Sequence, residues 1–261
     1  MKAMHIENVI NFPFPTPPDP KEIRQAEHKL LTLGALQQPT SNLSLKELEK
    51  YMRKAQITPM GRAMSLFPLT PRFAKMLVLS GQHGPDFIQY TITMVAALSM
   101  QEVLIEVALS KEDIQPQNQP KINQIRKSWA GSGNSLLLGD PMILIRAVGA
   151  CEYAGYTQEF CEQNGLRYKA MIEIRKLRNQ LTNKVNDIWP NLNVIMNPKM
   201  QPPTDQDSKL LRQIILSGSP DQIARKIQED DLKEVSDKSK LKLAYKCGQL
   251  EEPVFLKRYL P

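Results

Sequence analysis

The chain has 261 residues, 41% hydrophobic but only 6% aromatic, which permits a core of Leu, Ile, Val, Ala and twelve Met and argues against wholesale disorder. Lys and Arg number 34 against 27 Asp and Glu, a formal +7 that suits a polyanionic partner such as RNA and equally suits a mildly basic protein. Three cysteines with no close-spaced pair and three scattered histidines offer neither a disulfide framework nor a zinc-type ligand set. A reducing compartment is expected. No apolar run reaches the roughly 18 residues of a membrane span, and Met1–Glu7 is too polar for a signal peptide.

Five prolines between Pro13 and Pro20 preclude helix or central strand and predict an extended connector, although a Pro-rich recognition ligand has the same composition. Asp19-Pro20 then opens a helix with Ile23, Ala26, Leu30 and Leu33 at helical spacing and Gly34 as its stop. Ser44 and Glu47 form a capping box for a second helix carrying Leu45, Leu48, Met52 and Ala55.

Two Thr-Pro helix starts follow, at Thr58 and Thr70, separated by the Phe67-Pro68 break. Each Thr hydroxyl can cap free N–H groups, and each Pro takes the first helical position, where no N–H is needed. The prediction is a short helix from Pro59 to about Leu66, a corner, and a second helix from Pro71. Residues 20–80 together suit a small helical unit with a short hairpin or wing.

The apolar segment 85–109 predicts a buried helix pair, and Lys111–Pro120 a polar surface loop. A helix around Lys121–Trp129 ends in Gly131-Ser132-Gly133-Asn134-Ser135, which reads as a turn; it lacks the lysine of a phosphate loop and follows a helix rather than a strand. Asp140-Pro141 repeats the cap-plus-proline device. The longest helix is predicted from about Leu166 to Ile188, with Ala170, Ile174, Leu177, Leu181, Val185 and Ile188 as its apolar stripe. Arg167, Lys169, Arg175, Lys176, Arg178 and Lys184 take the remaining faces. Such a one-signed face is either solvation or a phosphate-facing surface. After the connector Asn197–Thr204, helices are predicted over Asp205–Leu216 and Pro220–Gln228. Short strands are predicted at Leu243–Cys247 and Pro253–Leu256.

The block T-P-x-G-R-x-M-x-x-F-P-x-x-P-x-x-A-K-M-L at Thr58–Leu77 resembles the end of the winged-helix domain of DEAH-box RNA helicases, running into their ratchet-like helicase-associated domain. Trp129–Gly133, Ala147–Ala154, Phe160–Met171 and Pro198–Thr204 are similar to one branch of that family, the nucleolar Kurz type of small ribosomal subunit assembly. The resemblance implies a mostly α chain in four parts. Residues 1–19 would be the end of the second RecA-like domain and its linker, 20–80 the winged helix, 81–203 the ratchet-like domain, and 204–261 the start of a truncated OB-fold. Where relatives continue with a His-Pro-Ser-Ser turn, this chain has Lys257-Arg258-Tyr259-Leu260-Pro261, too little to close a five-stranded barrel.

No G-x-x-x-x-G-K-[ST] run and no Asp-Glu-Ala-His box occurs, so no catalytic residue and no metal ligand is expected, and the chain alone is expected not to hydrolyse ATP. ATP and Mg would belong to the RecA-like motor domains of the parent helicase. The resemblance further implies a pre-rRNA or small nucleolar RNA partner, a processome protein activator and a nucleolar setting. Candidate RNA contacts, chosen from charge and helix position, are Arg167, Lys169, Arg175, Lys176 and Arg178 on the long helix, with Arg72 and Lys75 at the winged-helix exit. Two other readings are a stand-alone RNA- or protein-binding module and an independent hydrolase.

Overall fold

A computed structural model describes residues 1–6, 8–39, 43–105, 119–227, 244–248, 250 and 252–255. The chain is mostly helical, and its Cα positions cluster into two compact units, Met1–Arg62 with Leu216–Pro261, and Ala63–Ile215.

In the first unit, α1 (Pro20–Thr32) starts where expected: the Asp19 carboxylate accepts the Lys21 N–H at 2.8 Å, and Pro20 opens the first turn. It stops as Gly34 turns left-handed at φ +71°. At the start of α2 (Leu45–Lys54) the Glu47 half of the expected capping box forms, with Glu47 accepting the Ser44 N–H at 2.9 Å and the Ser44 hydroxyl at 2.6 Å. Leu31, Leu36 and Ala55 form the core here, with Leu30, Leu48, Tyr51 and Ile57 packed on it. A single antiparallel bridge joins Leu36 to Ile57.

The Thr58 hydroxyl accepts the Gly61 N–H at 3.0 Å to cap α3 (Pro59–Met64), and it donates to the Gly34 carbonyl at 2.7 Å. Gly61 itself cannot carry a side chain, because a Cβ there would run into the Ala35 carbonyl. The Thr-Pro-x-Gly motif thus clamps a helix start onto the backbone that ends α1.

Among the described residues, three short antiparallel strands complete this unit in the order β1 (Ala224–Lys226), β2 (Ala244–Cys247), β3 (Val254–Phe255). Ala224 pairs with Cys247 and Ala244 with Phe255. The helix expected over Pro220–Gln228 is not formed. Ser219 to Gln222 is a turn, and the backbone of 224–226 spends its hydrogen bonds on β2 instead, a tertiary pairing that overrides the Ser-Pro start signal. Gln228 lies outside the described residues.

The second unit is built around α5 (Pro85–Leu98), whose every residue from Phe87 to Ala97 is buried. Helices α4 (Pro71–Ser80), α7 (Asp140–Tyr153) and α9 (Tyr168–Ile188) pack on it, and α6 (Gln119–Ala130) packs on α7. Short α8 (Gln158–Gln163) precedes α9, and α10 (Asp205–Gly218) follows the connector. Thr70, unlike Thr58, makes no side-chain cap; α4 starts on its extended backbone and Pro71 alone. Within the second unit, Ala63–Ile215, α4 packs on α5.

Among the described residues, the expected helix pair over 85–109 contributes one helix, α5. Ser99–Ile105 leaves the helix, and there Val103 accepts the Arg167 N–H at 3.0 Å while the Ile105 N–H reaches Gly165 at 3.0 Å. Residues 106–109, and 111–118 of the expected loop, lie outside the described residues; Gln119 and Pro120 already belong to α6. Trp189 ends α9 as predicted, and its ring meets Phe67 at a centroid distance of 5.7 Å.

Candidate nucleic-acid interface

Helix α9 turns Met171, Ile174, Arg178, Leu181, Thr182 and Val185 inward. The stripe is rotated slightly from the predicted one, with Ala170, Leu177 and Ile188 at its half-buried margin. Lys169, Arg175 and Lys176 stand exposed on the other side, with Asn179, Gln180 and Asn183 beyond them.

Arg178 does not stand on that outer face. It is 3% exposed, and its Nη1 donates to Glu152 Oε2 and to the Tyr156 hydroxyl, both at 2.9 Å. The cause is spacing: residue 178 lies four after Ile174 and three before Leu181, on the stripe itself. That spacing is visible in the sequence and outweighs the charge. Inside the fold, Glu152 neutralises the guanidinium, and the pair ties α9 to the end of α7.

Arg175, one turn earlier, is held differently. Its guanidinium lies 5.0 Å from the centroid of the Tyr156 ring, a cation–π contact. Gly155 and Tyr156 are both left-handed, at φ +75° and +56°, and this turn delivers the ring beneath Arg175. Burial pushes the Tyr156 phenol up to about 12 even though Arg178 pulls it down, so the hydroxyl stays neutral. Tyr156 therefore contacts both arginines, and charge and helix position give no sign of it. Its only sequence signal is the preceding glycine of a helix stop.

The other candidates separate. Arg167 sits at the N-cap position of α9 without a side-chain cap and pairs with Glu102 at 2.8 Å, with both side chains exposed. Lys176 pairs with Glu173 at 2.8 Å on the surface, a link worth well under about 1 kcal/mol and easily exchanged for a phosphate. Arg72 and Lys75 are half-buried on α4, where desolvation lowers the Lys75 ammonium. Since α4 packs on α5, these two cations stand on a separate helix from the α9 set.

Among the described residues no group of His, Cys, Asp or Glu could hold a metal ion. Cys151 and Cys161 are buried with sulfurs 3.7 Å apart, and burial raises both thiols, which makes them poor nucleophiles.

Residues 70–144, from α4 into α7, match the helicase associated domain (HA2), ratchet-like. The chain thus carries a ratchet-like helicase-associated domain. It is 46% identical to the human "Probable ATP-dependent RNA helicase DHX37" and 46% identical to the "Probable ATP-dependent RNA helicase kurz" of Drosophila melanogaster, in each case over 98% of this chain and 22% or 21% of the relative. With the "Putative ATP-dependent RNA helicase rha-2" of Caenorhabditis elegans it shares 33% identity over 98% of this chain and 21% of the relative. Over nearly its whole length the chain therefore matches the C-terminal region of DEAH-box RNA helicases of the kurz type, and it spans about a fifth of the length of these relatives.

Proposed function

We propose that this chain is the C-terminal RNA-binding accessory module of an ATP-dependent DEAH-box RNA helicase that acts in small-subunit rRNA processing in the nucleolus. Residues 20–80 serve as a winged helix, 81–203 as the ratchet-like domain and 204–261 as the start of an OB-fold. ATP and Mg are handled by RecA-like motor domains, and a processome protein activates the assembled machine. The observation that carries this reading is the outer face of α9. Lys169, Arg175 and Lys176 stand in solvent on a helix whose inner face is locked to α5, in a chain that matches RNA helicases along its length.

Such a face suits single-stranded RNA physically. Phosphates replace condensed counterions with lysine and arginine, and a rigid helix holds successive phosphates without being ordered by them. Arg175 is preorganised by the Tyr156 ring, so it loses less freedom on binding than a free arginine would.

The test is binding of a single-stranded oligonucleotide to residues 1–261 across a salt series. Wild type is expected to bind in a salt-dependent way. K169A/R175A/K176A is expected to lower the slope of log K against log salt by up to about 0.7 for each phosphate left without its cation. An unchanged slope removes α9 from the RNA surface. The same protein is expected to show no RNA-stimulated ATP hydrolysis, and robust turnover would overturn the accessory-module reading.

A further inference from the structure

A cleft of about 450 Å³ opens in the helical unit between α7 and the connector segment 197–202, a size within the usual range of ligand sites, about 300–1,000 Å³. Its connector wall is fixed. Gln89 accepts the Asn197 N–H at 3.1 Å, the Tyr90 hydroxyl donates to the Gln201 carbonyl at 2.9 Å, and the Lys199 N–H turns back onto the Asn197 side chain at 2.9 Å. On the α7 side, Gly149 leaves the wall open; a Cβ there would meet nothing within 4 Å.

The lining has a definite chemistry. Trp129 and Tyr153 supply aromatic surface, and Tyr153 is 74% exposed. Arg146 and Lys199 supply positive charge. Glu152 is the one acid in the lining, and it is already neutralised by Arg178. At the buried floor, the Thr93 hydroxyl has no hydrogen-bond partner.

These features select between ligands. A peptide adding as a strand needs a row of free main-chain groups. The connector cannot supply one: Pro198 and Pro202 have no N–H, and those of Asn197, Lys199 and Met200 are spent within the protein. A basic partner would find no unpaired acid. An aromatic ring bearing an anionic group meets both an exposed ring and two cations.

We propose that this cleft is a nucleotide subsite, in which one base of single-stranded RNA stacks on Tyr153 and the adjoining phosphate is held by Arg146 and Lys199. The subsite rests on the RNA-binding reading of the chain and extends it from phosphate contacts on α9 to a base contact beside α7. Stacking is sequence-tolerant because every base has a π-face, so the subsite adds affinity without base readout.

Oligouridine binding to residues 1–261 tests it. Tyr153→Ala is expected to weaken binding about tenfold with the salt slope unchanged, whereas Tyr153→Phe, which keeps the ring, binds as wild type. Lys199→Ala is expected to weaken binding and to lower the salt slope by about 0.7, the signature of one phosphate no longer neutralised. Both side chains are exposed, so the variants keep the fold, and thermal unfolding verifies it. If both alanine variants bind like wild type while K169A/R175A/K176A is weakened, the cleft is not a subsite and the RNA reading stands. If Tyr153→Phe loses as much as Tyr153→Ala, stacking is overturned. If wild type shows no salt-dependent RNA binding, the RNA reading itself falls, and the subsite with it.

Discussion

Helices α5 and α9 pack against each other but follow opposite rules. From Phe87 to Ala97 α5 is buried on every side and carries no charge, so it is a post that offers a ligand no charged group. Helix α9 is buried only along one stripe, and of its arginines Arg178 is spent inside while Arg175 stands outside. Three positions separate the two residues. Position on the stripe, not residue type, decides whether a cation stabilises the fold or faces a ligand.

The sharpest way to break this contrast is to remove each kind of cation. Arg178→Ala leaves Glu152 without its partner in a largely buried site and is expected to cost about 3–5 kcal/mol in urea denaturation. Lys176→Ala, which loses only a surface pair, is expected to change stability by less than about 0.5 kcal/mol. The double change Arg178→Met with Glu152→Gln should recover much of the loss, because no unpaired charge remains. Equal, small costs for Arg178→Ala and Lys176→Ala would place both residues on the same face and end the distinction.

Tyr156 sharpens the same contrast, since it touches both arginines. Tyr156→Phe keeps the ring beneath Arg175 but removes an acceptor from Arg178, for an expected loss of about 2 kcal/mol at pH 8. The pH dependence follows from the phenol raised to about 12 in the folded chain, against about 10 when unfolded. Between those values the unfolded chain releases this proton and the folded chain keeps it, so stability falls as pH rises through the window and is unaffected below it. The Phe variant lacks that titration. Its deficit should therefore shrink as pH rises from about 10 towards 12, with lysine titrations common to both proteins cancelling in the difference. A deficit independent of pH would mean that the phenol is not buried against the Glu152–Arg178 pair.

Much of this architecture is legible in the sequence because it rests on local chemistry. Asp19, Ser44 with Glu47, and Thr58 each form a hydrogen bond at the helix start their spacing announces. Thr70 shows where that reading stops: the same Thr-Pro pair starts a helix without using its hydroxyl, so the motif marks the start but not the bond that makes it. The illegible parts depend on distant partners. Residues 224–226 pair with a strand some twenty positions away, and Ser99–Ile105 is drawn out of helix by the backbone of 165–167. At the candidate interface the exposed cations follow from charge, but charge alone misplaces Arg178, whose position on the stripe takes it inside. Tyr156 and the 197–202 wall depend on left-handed turns and long-range hydrogen bonds that no spacing rule reports.

A packing change within α5 tests the post itself. Ile92 on α5 is fully buried, so even Ile92→Val, which deletes one methylene, leaves a void that neighbours on a close-packed helix cannot fill. The expected cost is about 1 kcal/mol by urea denaturation. That exceeds the cost of deleting almost the whole side chain of Lys176 on the exposed face of α9, although far fewer atoms are removed. Oligonucleotide affinity is the second readout. Ile92→Val should leave it unchanged where the protein is folded, whereas the outer-face α9 variants should lower it at unchanged stability. If a packing change in α5 altered RNA affinity as strongly as loss of the cations, the α9 face would be positioned by α5 rather than merely supported by it, and the division between post and interface would have to be given up.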